Sequence, residues 1–249
     1  LLQPNAWDVG SAKLLEALGF DAIATTSSGF ATSRGHIDGD MSVDDVLAHC
    51  AELSAALDIP VAGDTENAFA DAPADVAAFV ARATETGLAG CSVEDWSGAA
   101  IYDLGLAVER ITAAAEAAHN GPTQLVLTAR AENLIRNVPD LADTIDRLQR
   151  FQEAGADVLF APGLRALDDI HAVVTSVDRP VNVLAREGCP TVAELASVGV
   201  ARISIGGAFA YRAYGALVEV ANELRERGTY GFWAAVDPAR TVIRNAFAP

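Results

Sequence analysis

The sequence predicts an α/β fold, an eight-stranded (β/α)8 TIM barrel with an extra C-terminal helix. Three observations carry that prediction. Short apolar runs recur eight times along the 249 residues, amphipathic stretches separate them, and glycine punctuates the returns from helix to strand. The runs are Leu1 to Asn5, Ala22 to Thr26, Pro60 to Asp64, Cys91 to Glu94, Leu125 to Arg130, Val158 to Ala161, Pro180 to Leu184 and Arg202 to Ile205. Each is short enough for a buried parallel strand. Between them, Ser11 to Leu18, Val43 to Leu57, Ala74 to Thr86, Leu106 to Ala118, Leu141 to Ala154 and Ala208 to Glu226 place apolar residues at helical spacing. This β-α-β-α order builds a parallel sheet. Gly19, Gly87, Gly155 and Gly199 stand where a helical pattern gives way to a strand, a position that favours a left-handed cap. Eight such units close into a barrel whose chemistry sits at the carboxyl ends of its strands.

With no linker or low-complexity segment, residues 1–249 read as one barrel domain, with 229–249 as a helical tail. A closed barrel does not need the segment from Pro238 to Ala246. Tyr230, Phe232 and Trp233 on this tail predict packing, either on its own barrel or on another subunit.

Composition narrows the function. The chain is 51% hydrophobic and 20% charged, which suits a folded domain rather than a disordered one. Its 17 basic against 34 acidic residues give a formal charge of -17, which argues against nucleic acid and anionic membrane surfaces as partners. An anionic substrate must therefore find local positive charge. Three widely spaced cysteines, Cys50, Cys91 and Cys189, fit neither a disulfide framework nor a zinc site, and a cytoplasmic location is expected. No run approaches a membrane span, and the first residues show no basic segment followed by an apolar one.

The chemistry-bearing residues cluster at strand ends. Asp64 and Glu66 close the third run and Glu94 closes the fourth. Side chains two apart on a strand point the same way, so Asp64 and Glu66 should share a face, with Glu94 beside them on the next strand. Converging carboxylates without interleaved His or Cys favour a hard cation, magnesium or alternatively manganese. After the second run, Ser28, Gly29 and Phe30 offer a hydroxyl and backbone N–H groups to a carboxylate or oxyanion. Asp38 in the same loop is a candidate base or water-orienting group, with a turn cap as the structural alternative. Arg130 at the fifth strand end is the candidate carboxylate clamp, with a pairing to Glu132 as the structural alternative. Asn182, polar inside the seventh run, needs partners and is a candidate substrate contact.

Other candidates have structural readings. His36 reads as a solvated loop residue, and His49, His119 and His171 as surface residues on helices. Cys50 and Cys91 read as core, and Cys189 as a packed thiol near the mouth.

In this order the motifs resemble those of the isocitrate lyase and phosphoenolpyruvate mutase superfamily, over essentially the whole chain. They are Pro4-Asn-Ala-Trp-Asp with Ser11-Ala, Ser28-Gly-Phe, Gly35-His-Ile-Asp-Gly, Asp64-Thr-Glu-Asn, Val93-Glu-Asp and Ala129-Arg-Ala-Glu. The branch is isocitrate lyase-like and carboxyphosphonoenolpyruvate mutase-like. The resemblance implies a (β/α)8 barrel whose last helix is often exchanged between subunits, a magnesium ion, and 2-oxo or 2-hydroxy acid substrates. It assigns Asp64, Glu66 and Glu94 to the metal shell, much of it through water. It also assigns Ser28, Gly29 and Phe30 to the oxyanion loop, Arg130 to the carboxylate and Asp38 to the mouth.

The loop after the Glu-Asp pair departs from this pattern. Lyases of the family carry a Lys-Lys-Cys-Gly-His loop there, and mutases a Lys and an Asn. Here it reads Trp96-Ser-Gly-Ala-Ala-Ile-Tyr-Asp-Leu-Gly, without Cys, Lys or His; Tyr102 is a candidate acid if the loop closes over the site, with a packed tyrosine as the favoured structural reading. The resulting expectation is a magnesium-dependent lyase that cleaves a carbon–carbon bond of a small 2-oxo or 2-hydroxy carboxylate through an enolate. The substrate would be oxaloacetate-like or a substituted malate or isocitrate. The alternatives are a phosphoenolpyruvate or phosphonopyruvate mutase or hydrolase, and a noncatalytic 2-oxo acid binder. A homodimer or homotetramer is expected.

Overall fold

The structure, a computed structural model, describes residues 1–247. Eight parallel strands run in chain order around the sheet: β1 (Asn5–Ala6), β2 (Ile23–Thr25), β3 (Val61–Gly63), β4 (Gly90–Glu94), β5 (Val126–Arg130), β6 (Val158–Phe160), β7 (Val181–Leu184) and β8 (Arg202–Ser204). The sheet closes because the Gln3 N–H donates to the Ile203 carbonyl at 2.8 Å and the Ile203 N–H to the Leu1 carbonyl at 2.9 Å. The predicted barrel is therefore present, with each strand trimmed to the centre of its apolar run.

Helices follow the strands: α1 (Val9–Ala17), α2 (Ser27–Ser33), α3 (Val43–Ala56), α4 (Pro73–Ala83), α5 (Leu104–Asn120), α6 (Leu141–Glu153), α7 (Leu167–Ser176), α8 (Val192–Ser197), α9 (Ala208–Asn222) and α10 (Val236–Ala246). Capping residues set several starts. Asp8 and Thr191 form capping boxes on α1 and α8, and Ser42 and Asp140 cap α3 and α6. The four glycines singled out in the sequence all lie at positive φ, between 82° and 104°, so each L side chain there would be strained.

Alternation along the strands sorts the side chains. Leu127, Ala129, Val93, Leu159 and Val183 point to the helices and join one apolar cluster with Ile111, Leu148 and Phe151. Their neighbours face the barrel interior and carry the polar residues discussed below.

Three local readings are corrected. The segment after β2 is not an open loop. Thr26 caps it, its hydroxyl accepting from the Gly29 N–H, and α2 begins at once. Helices α7 and α8, too short or too weakly patterned to stand out, complete the last units. His49 is not a surface residue: it is buried on α3, stacked on the Phe30 ring at 3.9 Å. Cys50 and Cys91 lie in the core as expected, and Cys189 packs against its edge.

The buried His49 has a measurable consequence. Its Nε2 has no partner, and burial pulls its pKa down from 6.5 to about 4. The folded protein thus keeps it neutral while the unfolded chain takes a proton below pH 6.5. Stability from this group is intact above that pH and falls as pH descends toward 4, by about 2 kcal/mol at pH 5. Urea unfolding of the unaltered protein and of His49→Phe at pH 7 and pH 5 checks it. The expected result is a smaller acid loss in the variant, and equal losses would refute it.

Beyond α9 the chain passes through a π-helical turn (Glu223–Arg227) and a 3-10 turn (Gly231–Ala235) into α10, which lies against α1. Tyr230, Phe232 and Trp233 pack on one another, yet Tyr230 and Trp233 remain exposed. Among the described residues no helix is long and apolar enough to cross a membrane.

Candidate active site

Along β5 the interior-facing residues are Val126, Thr128 and Arg130, from floor to mouth; on β4 they are Gly90, Ser92 and Glu94. The last of each set meets at the mouth. Arg130 Nη1 lies 2.8 Å from Asp64 Oδ1, and its Nη2 lies 3.1 Å from Glu94 and 2.8 Å from Glu132. Nε also donates to Glu132 at 2.9 Å. One guanidinium therefore joins three carboxylates at the ends of β3, β4 and β5. These carboxylates raise its pKa against the opposing effect of burial. The sequence posed Arg130 as either anion clamp or ion-pair partner; its contacts in the structure are the ion pairs, and it still lines the mouth.

A second cation tops this cluster. Arg136, in the loop after β5, reaches Glu132 at 3.3 Å and Glu94 at 3.7 Å, and its guanidinium lies 4.6 Å from the Trp96 ring centre. Nothing in its local sequence marked it, because it projects from a loop without a motif.

The loop after β3 departs from simple alternation. The strand ends at Gly63, Thr65 turns inward to donate to the Ser92 carbonyl, and Glu66, Ala68 and Phe69 all have φ near 50°. Backbone of this kind costs energy in non-glycine residues and persists only where surroundings impose it. The imposing group is Arg110 of α5. Its guanidinium is buried and donates to the carbonyls of Asn67, Ala70 and Asp71, and it lies over the Tyr102 ring. Tyr102 in turn donates to Asp71 and accepts from Asn67. It is thus a packed strut rather than a free acid, and burial raises its pKa.

As a result Asp64 and Glu66 do not share one face. Asp64 lines the inner cavity and accepts from the Ser27 N–H at 3.0 Å and the Ser27 hydroxyl at 3.1 Å, while Glu66 lines the outer mouth with Glu94, Asp38 and Asp40. Burial first, then the charges of Asp64 and Asp38, push Glu66 up to about 7. Burial likewise raises Glu94, against the pull of Arg130. Asp38 is raised by burial and lowered by a hydrogen bond from Ser27.

The mouth, about 470 Å³, and the inner cavity, about 210 Å³, share Ser27, Asp38 and Arg130. Ser28 lines the inner cavity. Gly29 and Phe30 do not: Gly29 abuts Trp7 and Ala210, and the Phe30 N–H is spent on the Thr26 carbonyl. Asn182 is buried and faces the inner cavity, donating to Ser204 at 3.0 Å and accepting from Arg202 at 3.0 Å. Sequence reasoning passed over Asp95, whose carboxylate holds the Glu132 N–H and Arg147 and so fixes the β5 loop. Its place beside Glu94 was the available signal, since an alternate residue must face the other way.

Among the described residues no three acidic, His or Cys side chains stand as a ready set of direct metal ligands. The donor chemistry still fits a hard cation held partly through water. All donors are oxygens, and Asp38, Asp64, Glu66 and Glu94 outnumber the cations between them, so that burial leaves Glu66 and Glu94 inclined to hold protons.

The sequence model of the phosphoenolpyruvate phosphomutase family matches residues 1–225. The 2-methylisocitrate lyase of Escherichia coli (strain K12) is 31% identical over 234 residues, spanning 88% of this chain and 77% of that enzyme. A solved structure from Burkholderia cenocepacia J2315 superposes with a TM-score of 0.96 at 45% identity, over 100% of this chain and 92% of that one. The structure of oxaloacetate acetylhydrolase with its product oxalate superposes with a TM-score of 0.87 at 25% identity, over 98% of this chain and 88% of that one. With fold, motif order and these likenesses in agreement, the chain belongs to the phosphoenolpyruvate phosphomutase family, within the isocitrate lyase and phosphoenolpyruvate mutase superfamily.

Proposed function

We propose that this protein is a magnesium-dependent lyase that breaks a carbon–carbon bond of a small 2-oxo or 2-hydroxy carboxylate. The observation that carries the reading is the mouth itself, where excess buried carboxylates surround one arginine above a cavity sized for a small acid. Asp64, Glu66 and Glu94 would hold the ion, largely through water, and the bound ion would withdraw charge from the substrate's carboxylate and adjacent oxygen. The chain's own groups do the rest. Arg130 and the Ser28 hydroxyl orient the acid, and Asp38, raised by burial, is placed to take a proton from a substrate hydroxyl or a water. When the carbon–carbon bond breaks, its electron pair stays on the fragment that becomes the enolate, which is then protonated at carbon.

The loop after β4 bears on which bond is cleaved. Ser97 closes a tight turn with Ala100, and Trp96 is held under Arg136. This loop supplies no lysine, cysteine or histidine, which favours decarboxylation or hydrolytic cleavage of an oxaloacetate-like acid. Oxaloacetate acetylhydrolase and the isocitrate-type lyase among its relatives bracket that choice. Phosphoryl chemistry, the runner-up, requires cations on this loop. The nearest, Arg136, is engaged by Glu94 and Glu132.

The test is a mass-spectrometric product screen in magnesium over oxaloacetate, substituted malates, isocitrate, methylisocitrate, phosphoenolpyruvate and phosphonopyruvate. Cleavage of a carbon acid is expected, lost on chelation and reduced at least ~100-fold in Glu94→Gln. Phosphonate turnover would establish the runner-up. Binding with no product from any of these acids would favour a noncatalytic binder. Full activity without divalent metal would remove the ion from the mechanism.

We further propose self-association. Helix α9 exposes Tyr211, Leu217 and Val218, α10 exposes Val242 and Ile243, and the segment between them exposes Tyr230 and Trp233. Exposed apolar side chains in this number fit burial against a second copy. Light scattering after size exclusion should give a mass of two or four chains.

A further inference from the structure

Barrel interiors are ordinarily filled by bulky branched side chains. This one is lined largely by small and polar residues, Asn5, Ala24, Ala62, Ser92, Thr128, Asn182 and Ser204, with Phe160 and Leu184 as its bulky members, and the inner cavity stays open below the mouth. Arg202, the first residue of β8, lines both this cavity and the recess at the barrel floor. Its Nε donates to Asn182 Oδ1 at 3.0 Å and its Nη2 to Thr128 Oγ1 at 2.9 Å. No carboxylate among the described residues pairs with it. The contrast with Arg130 is sharp: three carboxylates share that guanidinium, whereas burial alone acts on Arg202 and lowers it to about 10. Among the described residues the acids lining the inner cavity are Asp38 and Asp64, at its mouth end.

The groups around Arg202 are donors with free protons. Among the described residues its Nη1 has no partner. The Thr128 hydroxyl accepts from Arg202 and the Ser204 hydroxyl from Asn182, so both keep their own hydrogens for a ligand. Ser92 lies beside Thr128 in register and lines the same cavity. A ring of donors around an unpaired cation suits a group that only accepts, which describes an ionised carboxylate.

We propose that Arg202, set by Asn182 and Thr128, binds the distal carboxylate of a short dicarboxylic acid whose 2-oxo or 2-hydroxy end stays at the mouth. This deepens the proposed lyase reading and rests on it for the placement of the mouth end. Thr128, which holds Arg202, is one inward-facing layer, ~6.6 Å along the strand, below Arg130, so the interior site lies directly beneath the mouth. Arg202 is thereby a specificity residue, selecting diacids over monoacids of equal length.

The experiment compares calorimetric affinities in magnesium buffer for malate against 2-hydroxybutanoate, and for 2-hydroxyglutarate against 2-hydroxypentanoate, with oxalate as a probe of the mouth alone. The unaltered protein should prefer the diacid of at least one pair by about tenfold or more. Arg202→Gln should bring that ratio near one while oxalate affinity stays within about twofold. Ser92→Asp, which sets a competing carboxylate on β4, should do the same and guards against misfolding of the first variant. No diacid preference in the unaltered protein, or a preference that survives both substitutions, overturns the inference. In the second case Arg136 at the mouth would be reading the second carboxylate. Loss of oxalate binding with the diacid preference intact would instead overturn the proposed mouth chemistry and uphold the interior site.

Discussion

Arg110→Met is expected to lower stability by about 3 kcal/mol and kcat/KM by ~100-fold or more, although Arg110 lines neither cavity. Glu66, Ala68 and Phe69 adopt positive φ, and three carbonyls of the same loop converge on one guanidinium. Methionine matches the aliphatic stem but gives those carbonyls nothing to accept from. Hydrogen bonds to a charged group contribute about 1.5–3 kcal/mol each when removed. Part of the loss is recovered, because Arg110 is itself buried and its Nε has no partner. Freed of its restraint, the loop relaxes toward ordinary backbone and carries Glu66 away from the mouth. A Tyr102→Phe variant removes one strut and leaves Arg110 in place. It should retain most activity. Equal kinetics for Arg110→Met and the unaltered enzyme would show that the loop holds its shape without the arginine.

This network marks the boundary of what the sequence discloses. The barrel was legible because eight strand runs, six helical stretches and four glycine caps recur in one order, and repetition averages out local ambiguity. The acids at the strand ends were legible for the same reason: a polar residue closing an apolar run stands out. What sequence spacing missed depends on backbone leaving the regular pattern. Two-residue alternation put Asp64 and Glu66 on one face, but β3 stops at Gly63 and Glu66 turns left-handed, so they line different cavities. The segment after β2 read as a loop of donors, yet Thr26 caps a helix there and consumes the Phe30 N–H. Arg110, Arg147 and Arg202 come from a helix face or a strand start, far from any motif. Long-range partners gave them their roles, and no single-sequence pattern encodes such pairs. His49 was misplaced for a related reason. Its polarity suggested the surface, while the apolar stripe of Val46, Leu47, Cys50 and Leu53 on the same helix already pointed inward.

Arg130→Ala is expected to be the most damaging single change at the mouth. An arginine that only clamped substrate would raise KM and leave the fold intact. The observed contacts predict more. Asp64, Glu94 and Glu132 lose their shared cation, and Glu132 is almost wholly buried, so an unpaired charge remains inside the protein. Breaking such a cluster costs about 3–5 kcal/mol. Arg136 offsets a fraction of this through its contacts with Glu94 and Glu132, but it does not reach Asp64. Activity should fall below detection. Arg130→Lys separates the two roles. A single ammonium restores the charge but cannot span three carboxylates with the geometry of a planar fork. It should recover more than half of the lost stability while KM remains raised about tenfold or more. Denaturation midpoints and steady-state kinetics on both variants check this. If Arg130→Ala unfolds at the same urea concentration as the unaltered protein, the carboxylates are not held by this arginine, and the electrostatic account of the mouth fails with it.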